Sequence, residues 1–169
     1  MDQKIDNKIG FKNRLTSYYK DYKLKINSLL LILLIIIISV YFLMLEEKKK
    51  NILISEKYIQ ADLYLAEKKK KDAIDLYEEI ILSENKFYSI LSLNVIIEKK
   101  LVDDNEKILN YFKIVENLNH SNDQKDLLTF KKALYFIKIS KNQEGELLLK
   151  NLIDKNSKLK ILAEETLKK

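Results

Sequence analysis

Apolar positions follow two patterns along this chain. From Ser28 to Leu45 (SLLLILLIIIISVYFLML) they are continuous, eighteen residues without a charge, a glycine or a proline. Extended back to Ile26 the run reaches twenty residues, and at ~1.5 Å rise per residue that is ~30 Å of helix, the thickness of a bilayer core. This predicts a transmembrane helix over 28–45 rather than an amphipathic soluble one. A cleaved signal peptide would have a shorter apolar region, about 7–15 residues, ending in small residues. Here the run ends Tyr41-Phe42-Leu43-Met44-Leu45-Glu46-Glu47, with no Ala-x-Ala pattern, so the expectation is an uncleaved anchor. Tyr41 and Phe42 stand near its exit, where aromatic rings suit the lipid interface.

After Leu45 the apolar residues become periodic at helical spacing. The predicted helices come in pairs: Asn51–Glu67 with Asp72–Ser83, Lys86–Lys100 with Glu106–Leu118, and Asp123–Ser140 with Gly145–Asp154. The intervening turns fall at 68–71, 102–105 and 141–144, and a last helix, Ser157–Lys169, has no mate. The units are therefore about 51–85, 86–120 and 121–156, followed by the final helix 157–169. Such a period is the mark of stacked helical hairpins, each unable to bury its apolar face alone.

Certain positions repeat within this pattern. Ala61, Tyr64, Ala73 and Tyr77 of the first unit correspond to Ala133, Phe136, Gly145 and Leu149 of the third, every pair 72 residues apart. Small side chains on both helices let a hairpin close, and a ring fills the space beside them. The middle unit, centred on Ile96, Ile108 and Phe112, keeps the large residues and loses the small ones. These positions resemble the tetratricopeptide repeat, and Asp72-Ala73-Ile74-Asp75-Leu76-Tyr77 is the best local match. No proline ends a unit, and Ile80 stands where that repeat prefers alanine. The expected fold is all-α: an N-terminal arm (1–27), a transmembrane helix (28–45) and a degenerate tetratricopeptide-like solenoid (46–169).

The arrangement of arm, single span and degenerate repeat domain is similar to the ancillary subunit family of the bacterial SecYEG translocon (YfgM-type). The resemblance implies a non-catalytic inner-membrane protein with its repeat domain in the periplasm. It also implies partnership with the translocon and a membrane-anchored periplasmic chaperone, and handling of unfolded exported proteins. Members usually close with another complete hairpin, whereas this sequence carries only the first helix of a fourth unit. The alternative is a scaffold for another envelope assembly, in division or cell-wall synthesis.

Charge gives a topology. Six basic residues occupy the twenty positions before Ile26 and four the twenty after Leu45, which favours a cytoplasmic N-terminus and puts the C-terminal domain across the membrane. The arm, residues 1–27, carries +4 of the formal +6. Ile5, Ile9, Leu15, Tyr19 and Tyr22 lie close to one helical face, consistent with a helix on an anionic lipid surface; a disordered basic arm that only sets topology is the other reading. Residues 46–169 are nearly balanced, with 24 basic and 22 acidic side chains. That balance lacks the concentrated basic face of a nucleic-acid partner.

Catalytic chemistry has little to work with. The chain has no cysteine, one histidine and two glycines, Gly10 and Gly145, so neither a thiol site nor a glycine-rich phosphate loop is expected. His120 lies in the polar segment Asn117–Asn122 and is expected to be a solvated loop residue; a zinc site would need three carboxylates beside it. No catalytic residue, metal or cofactor is expected. The pairs Asp103-Asp104 and Glu164-Glu165 and the run Lys68–Lys71 read as solvated surface. The candidate function is binding: in repeat solenoids the first helices line a concave face. Here that face would present Tyr58, Asp62 and Leu65, then Ile90, Leu93 and Ile97, then Leu127, Phe130, Leu134 and Ile137, a groove for an apolar segment of a partner. The competing expectation is that Leu159, Ile161, Leu162 and Leu167 of the last helix cover part of it.

Overall fold

A computed structural model describes the backbone of residues 3–168 and the side chains of residues 19–168 apart from Asp21. Among the described residues there are seven helices and no strand: α1 (Gln3–Ala66), α2 (Lys70–Leu82), α3 (Tyr88–Glu98), α4 (Asn105–Glu116), α5 (Asn122–Lys138), α6 (Asn142–Asp154) and α7 (Lys160–Leu167). The chain divides into two compact units, residues 1–50 and 51–169.

In the first unit α1 is interrupted at Tyr22, where φ −115° and ψ 16° leave the helical region. From Tyr22 onward it is long and apolar enough to cross a membrane, and none of its most apolar window is buried within the chain. The residues from Leu29 to Met44 expose a full sleeve of leucine and isoleucine, the surface that a hydrocarbon solvent satisfies. Ser39 Oγ donates to the Ile35 carbonyl (2.8 Å), which keeps its hydroxyl satisfied inside the run. Of the expected apolar face of the arm, the side chains of Ile5, Ile9 and Leu15 lie outside the described residues; Tyr19 and Tyr22 are exposed.

The second unit is built on antiparallel hairpins whose backbone repeats. Helices α2 and α6 are each 13 residues long and start 72 residues apart. The residues two before them, Lys68 and Ser140, are left-handed (φ 63° and 64°). The next residues, Lys69 and Lys141, are again alike (φ −83°, ψ 65°; φ −92°, ψ 62°). In each hairpin the N–H after the left-handed residue donates back along the preceding helix: Lys69 to the Tyr64 carbonyl and Lys141 to that of Phe136, both 2.9 Å. This closes the free carbonyls of the preceding helix. Glu84 and Asn156, also 72 apart, are left-handed as well (φ 57° and 53°), and so is Lys100 (φ 50°).

One junction departs from the pattern. Between α4 and α5 no left-handed residue is used; instead the His120 Nε2–H donates to the Val115 carbonyl at 2.8 Å. His120 is buried, 5% exposed, and its Nδ1 has no partner. The expectation of a solvated histidine is therefore corrected: the ring adds a second donor to the Val115 carbonyl, which also accepts the Leu118 N–H (3.1 Å), and lies buried. Ser121 then starts α5 with a capping box to Gln124. Asp104, expected to be merely solvated, caps α4 through Oδ1 to the N–H groups of Glu106 (2.9 Å) and Lys107 (3.1 Å).

The core has two centres. The larger joins Ala61, Ala73, Tyr77, Ile80 and Ile81 to Leu93, Ile96, Ile108, Phe112 and Val115. The smaller gathers Ala133, Leu149, Leu152 and Ala163, with Leu167 of α7 packed against it. The repeated small positions Ala61, Ala73, Ala133 and Gly145 are all buried, as are Tyr77 and Leu149, while Tyr64 and Phe136 are half-buried. Ile96 and Ile108 are buried at the middle hairpin. Ion pairs tie neighbouring helices: Lys57 to Glu79 (α1–α2), Glu78 to Lys107 (α2–α4) and Glu116 to Lys132 (α4–α5).

Candidate interaction surface

Helices α3 and α5 leave a groove between them. Lys131 Nζ donates to Asn94 Oδ1 (2.7 Å) across it. On one side of this bridge lies a cavity of about 130 Å³ lined by Phe87, Ile90, Leu91 and Leu127. On the other side a cavity of about 240 Å³ is lined by Ile97, Glu98, Leu134 and Lys138. A third, about 210 Å³, shares Ile97, Tyr135 and Lys138 and extends to Lys100 and Asp103. Aliphatic side chains line these cavities together with the cations Lys131, Lys138 and Lys100 and the carboxylates Glu98 and Asp103.

The spacing of the walls follows from the helix. Leu127, Lys131, Leu134 and Lys138 recur at 4, 3 and 4 residues on α5, and Ile90, Asn94 and Ile97 at 4 and 3 on α3, so each set shares one face. Tyr135 anchors the wall: its ring meets Phe112 at 5.8 Å and its hydroxyl donates to Asn105 Oδ1 at 2.7 Å. Burial, then the charge of Asp104, pushes the Tyr135 phenol above its ordinary range.

Of the ten residues expected on the binding face, Ile90, Ile97, Leu127 and Leu134 line these cavities. Leu93 does not: it is 1% exposed and belongs to the core beside Ile96, which corrects its placement on an open surface. Tyr58, Asp62 and Leu65 serve the first hairpin. The Tyr58 ring stands edge-on to Tyr77 (5.9 Å) and tilted to Tyr88 (5.6 Å). Asp62 accepts the Tyr77 hydroxyl, and Leu65 packs against the larger core. Phe130 and Ile137 pack against the smaller core. The repeat positions do not name Asn94, Lys131 and Lys138; for Lys131 and Lys138 the 4–3–4 spacing with Leu127 and Leu134, and for Asn94 the 4–3 spacing with Ile90 and Ile97, is the signal that places them. Ile161 and Leu162 of α7 are exposed, whereas Ala163 and Leu167 belong to the smaller core against which Phe130 and Ile137 pack, so the last helix covers the third-unit part of the expected face through Leu167.

Among the described residues no three His, Asp or Glu side chains converge as a metal site. The chain is thus an all-helical protein in which one N-terminal helix is long and apolar enough to span a bilayer, followed by a hairpin domain bearing an apolar groove. Comparison with family models, with curated proteins and with solved structures returns no match.

Proposed function

We propose that this is a single-pass inner-membrane protein whose tetratricopeptide-like hairpin domain binds protein segments, without catalysis, at the Sec translocon. The observation that carries the binding role is the α3–α5 groove, lined by aliphatic side chains and lysines, in a domain joined to a membrane-length apolar helix. Such a groove suits an extended or helical apolar segment. The 72-residue recurrence of small residues and helix caps supports the repeat reading, and the excess of basic residues before the span supports a cytoplasmic N-terminus with a periplasmic domain. The placement at the translocon, beside a membrane-anchored chaperone, rests on the architecture alone.

The test is affinity purification of the full chain in mild detergent, with translocon subunits and periplasmic chaperones measured in the eluate. Leu127→Asp and Leu134→Asp change exposed groove positions, 43% and 41% exposed, and are expected to lose these partners while the protein stays folded. Recovery of division or cell-wall proteins in their place would make the chain a scaffold for that machinery.

A further inference from the structure

The groove between α3 and α5 has a spacing that discriminates between occupants. Ile90 and Leu127 line its first cavity, and Ile97 and Leu134 its second. On both helices the step from the first cavity to the second is seven residues in the same chain direction. Seven residues are two helical turns, ~10.5 Å at ~1.5 Å rise per residue, so the apolar walls recur at about that distance.

Lys131 stands between them. It follows Leu127 by four residues, precedes Leu134 by three, and lines both cavities. It is half-buried, and its Nζ donates to Asn94 Oδ1, a neutral amide, at 2.7 Å. The neighbouring Lys132 pairs with Glu116, but among the described residues no carboxylate stands within 4.0 Å of Lys131 Nζ. Of the residues lining the first cavity Lys131 alone is charged, whereas in the second Glu98 and Lys138 offset each other. The middle of the groove therefore holds a cation without an anion, flanked by apolar walls.

A ligand that fills both cavities needs two apolar anchors about 10.5 Å apart on one side of its backbone. An extended segment rises ~3.3 Å per residue and turns successive side chains to opposite faces. Its same-face positions fall at about 6.6 and 13 Å, and neither matches. A helix matches at i and i+7, and its positions i+3 and i+4 lie on the same face between the anchors, opposite Lys131. A carboxylate there would replace a neutral hydrogen bond by a charge-assisted one.

We propose that the groove takes an amphipathic helix of a partner protein, with apolar side chains at i and i+7 and a carboxylate at i+3 or i+4 that pairs with Lys131. The proposal rests on the reading of the groove as a binding site and names the chemistry of what it binds.

The probes are fluorescent, helix-stapled alanine–glutamine peptides, titrated with the full-length protein in lipid nanodiscs against empty nanodiscs. The matched peptide carries leucine at i and i+7 and glutamate at i+3 and i+4. It is expected to bind, and exchanging both glutamates for glutamine should weaken binding on the order of tenfold. Moving the second leucine to i+5, off the shared face, should weaken it as well. Lys131→Glu should reverse the charge preference, so that a peptide with lysine at i+3 and i+4 binds more tightly than the matched one. Equal affinity for the glutamate and glutamine peptides overturns the proposal, as does a Lys131→Glu chain that keeps the preference for glutamate. An unstapled, valine-rich extended peptide that binds as tightly as the matched helix overturns it because the groove then accepts strands. Binding of the matched peptide that Leu134→Asp leaves unchanged overturns it because the site is then elsewhere. If no peptide binds while a photoreactive residue at position 134 still captures a translocon subunit or chaperone in cells, the proposal falls and the binding role of the groove stands. If neither peptide nor protein is captured, both fall.

Discussion

A β-carbon on Gly145 would stand 2.9 Å from the carbonyl oxygen of Ala133 and 2.7 Å from Cγ1 of Ile137. Helices α5 and α6 thus approach backbone to side chain at the third hairpin, and only a glycine permits it. On helix propensity alone, Gly145→Ala should stabilise an interior helical position by about 1 kcal/mol. Contact with the fixed Ala133 carbonyl reverses the sign. The expected outcome is a net loss on the order of 1–3 kcal/mol, measured as a lower urea midpoint. The corresponding change at the first hairpin, Ala73→Gly, removes a buried methyl and is also expected to destabilise.

Among the described residues five non-glycine residues hold left-handed backbone: Lys68, Glu84, Lys100, Ser140 and Asn156. Each Cβ is strained against the following carbonyl. Replacing Lys68 or Lys100, both exposed, by glycine is expected to raise stability by on the order of 1 kcal/mol, less the entropy that glycine gains in the unfolded chain. Lys99→Gly, one position earlier and right-handed (φ −86°), is expected to lower it. Denaturation midpoints of the three variants decide the matter.

How much of this was legible in the sequence differs from element to element. The apolar run 28–45 is legible from its unbroken length, and the small residues Ala61, Ala73, Ala133 and Gly145 are legible because close helix packing restricts residue size at those positions. The turns did not: a solvated lysine or serine in left-handed backbone looks like any other polar residue, so α2 begins at Lys70 and α6 at Asn142, earlier than expected. The burial of His120 is hidden in the sequence for a related reason. Its neighbours are mostly polar, and only the three-dimensional path shows that its ring N–H reaches the Val115 carbonyl. The repeat position of Leu93 places it on the open face, but in the middle hairpin the isoleucine pair Ile96 and Ile108 stands where the other units have small residues, and Leu93 packs into the core beside them.

Asp126 ties α5 to the connection between α6 and α7. It accepts from Ser157 Oγ and pairs with Lys155 at 2.5 Å. Burial pushes its carboxyl up, but the hydrogen bonds from Lys155 and Ser157, with the Lys155 charge, outweigh that and hold it below the usual carboxylate range. A depressed folded value means that its stabilisation is present above the unfolded value of about 3.9 and disappears as pH falls through the folded one. Asp126→Asn is expected to cost about 1–2 kcal/mol at pH 7, at the low end for a charged pair because Lys155 is partly exposed. The gap between variant and parent should close as the pH falls below about 4.

Two buried phenols act at the opposite end of the scale. Tyr77 is raised above the ordinary tyrosine range by burial first, then by donating to Asp62 and by that residue's charge. Tyr111 is raised by burial first, then by Glu78. Stability from these groups is complete below about pH 10 and is lost as the pH rises beyond it, where unfolded phenols ionise and the folded ones hold their protons. Of the ten tyrosines, Tyr77 and Tyr111 should ionise only on unfolding, seen as a late, cooperative rise in phenolate absorbance. Tyr77→Phe and Tyr111→Phe should each shrink that late rise.

The binding surface offers the most direct test of the whole account. A photoreactive amino acid placed at Leu134 in the groove, and at Leu147 on the exposed side of α6 as a control, is irradiated in intact cells expressing the full chain. The account predicts an adduct with a translocon subunit or a membrane-anchored periplasmic chaperone from position 134 and none from position 147. No adduct at 134, or the same adduct at both positions, would contradict it.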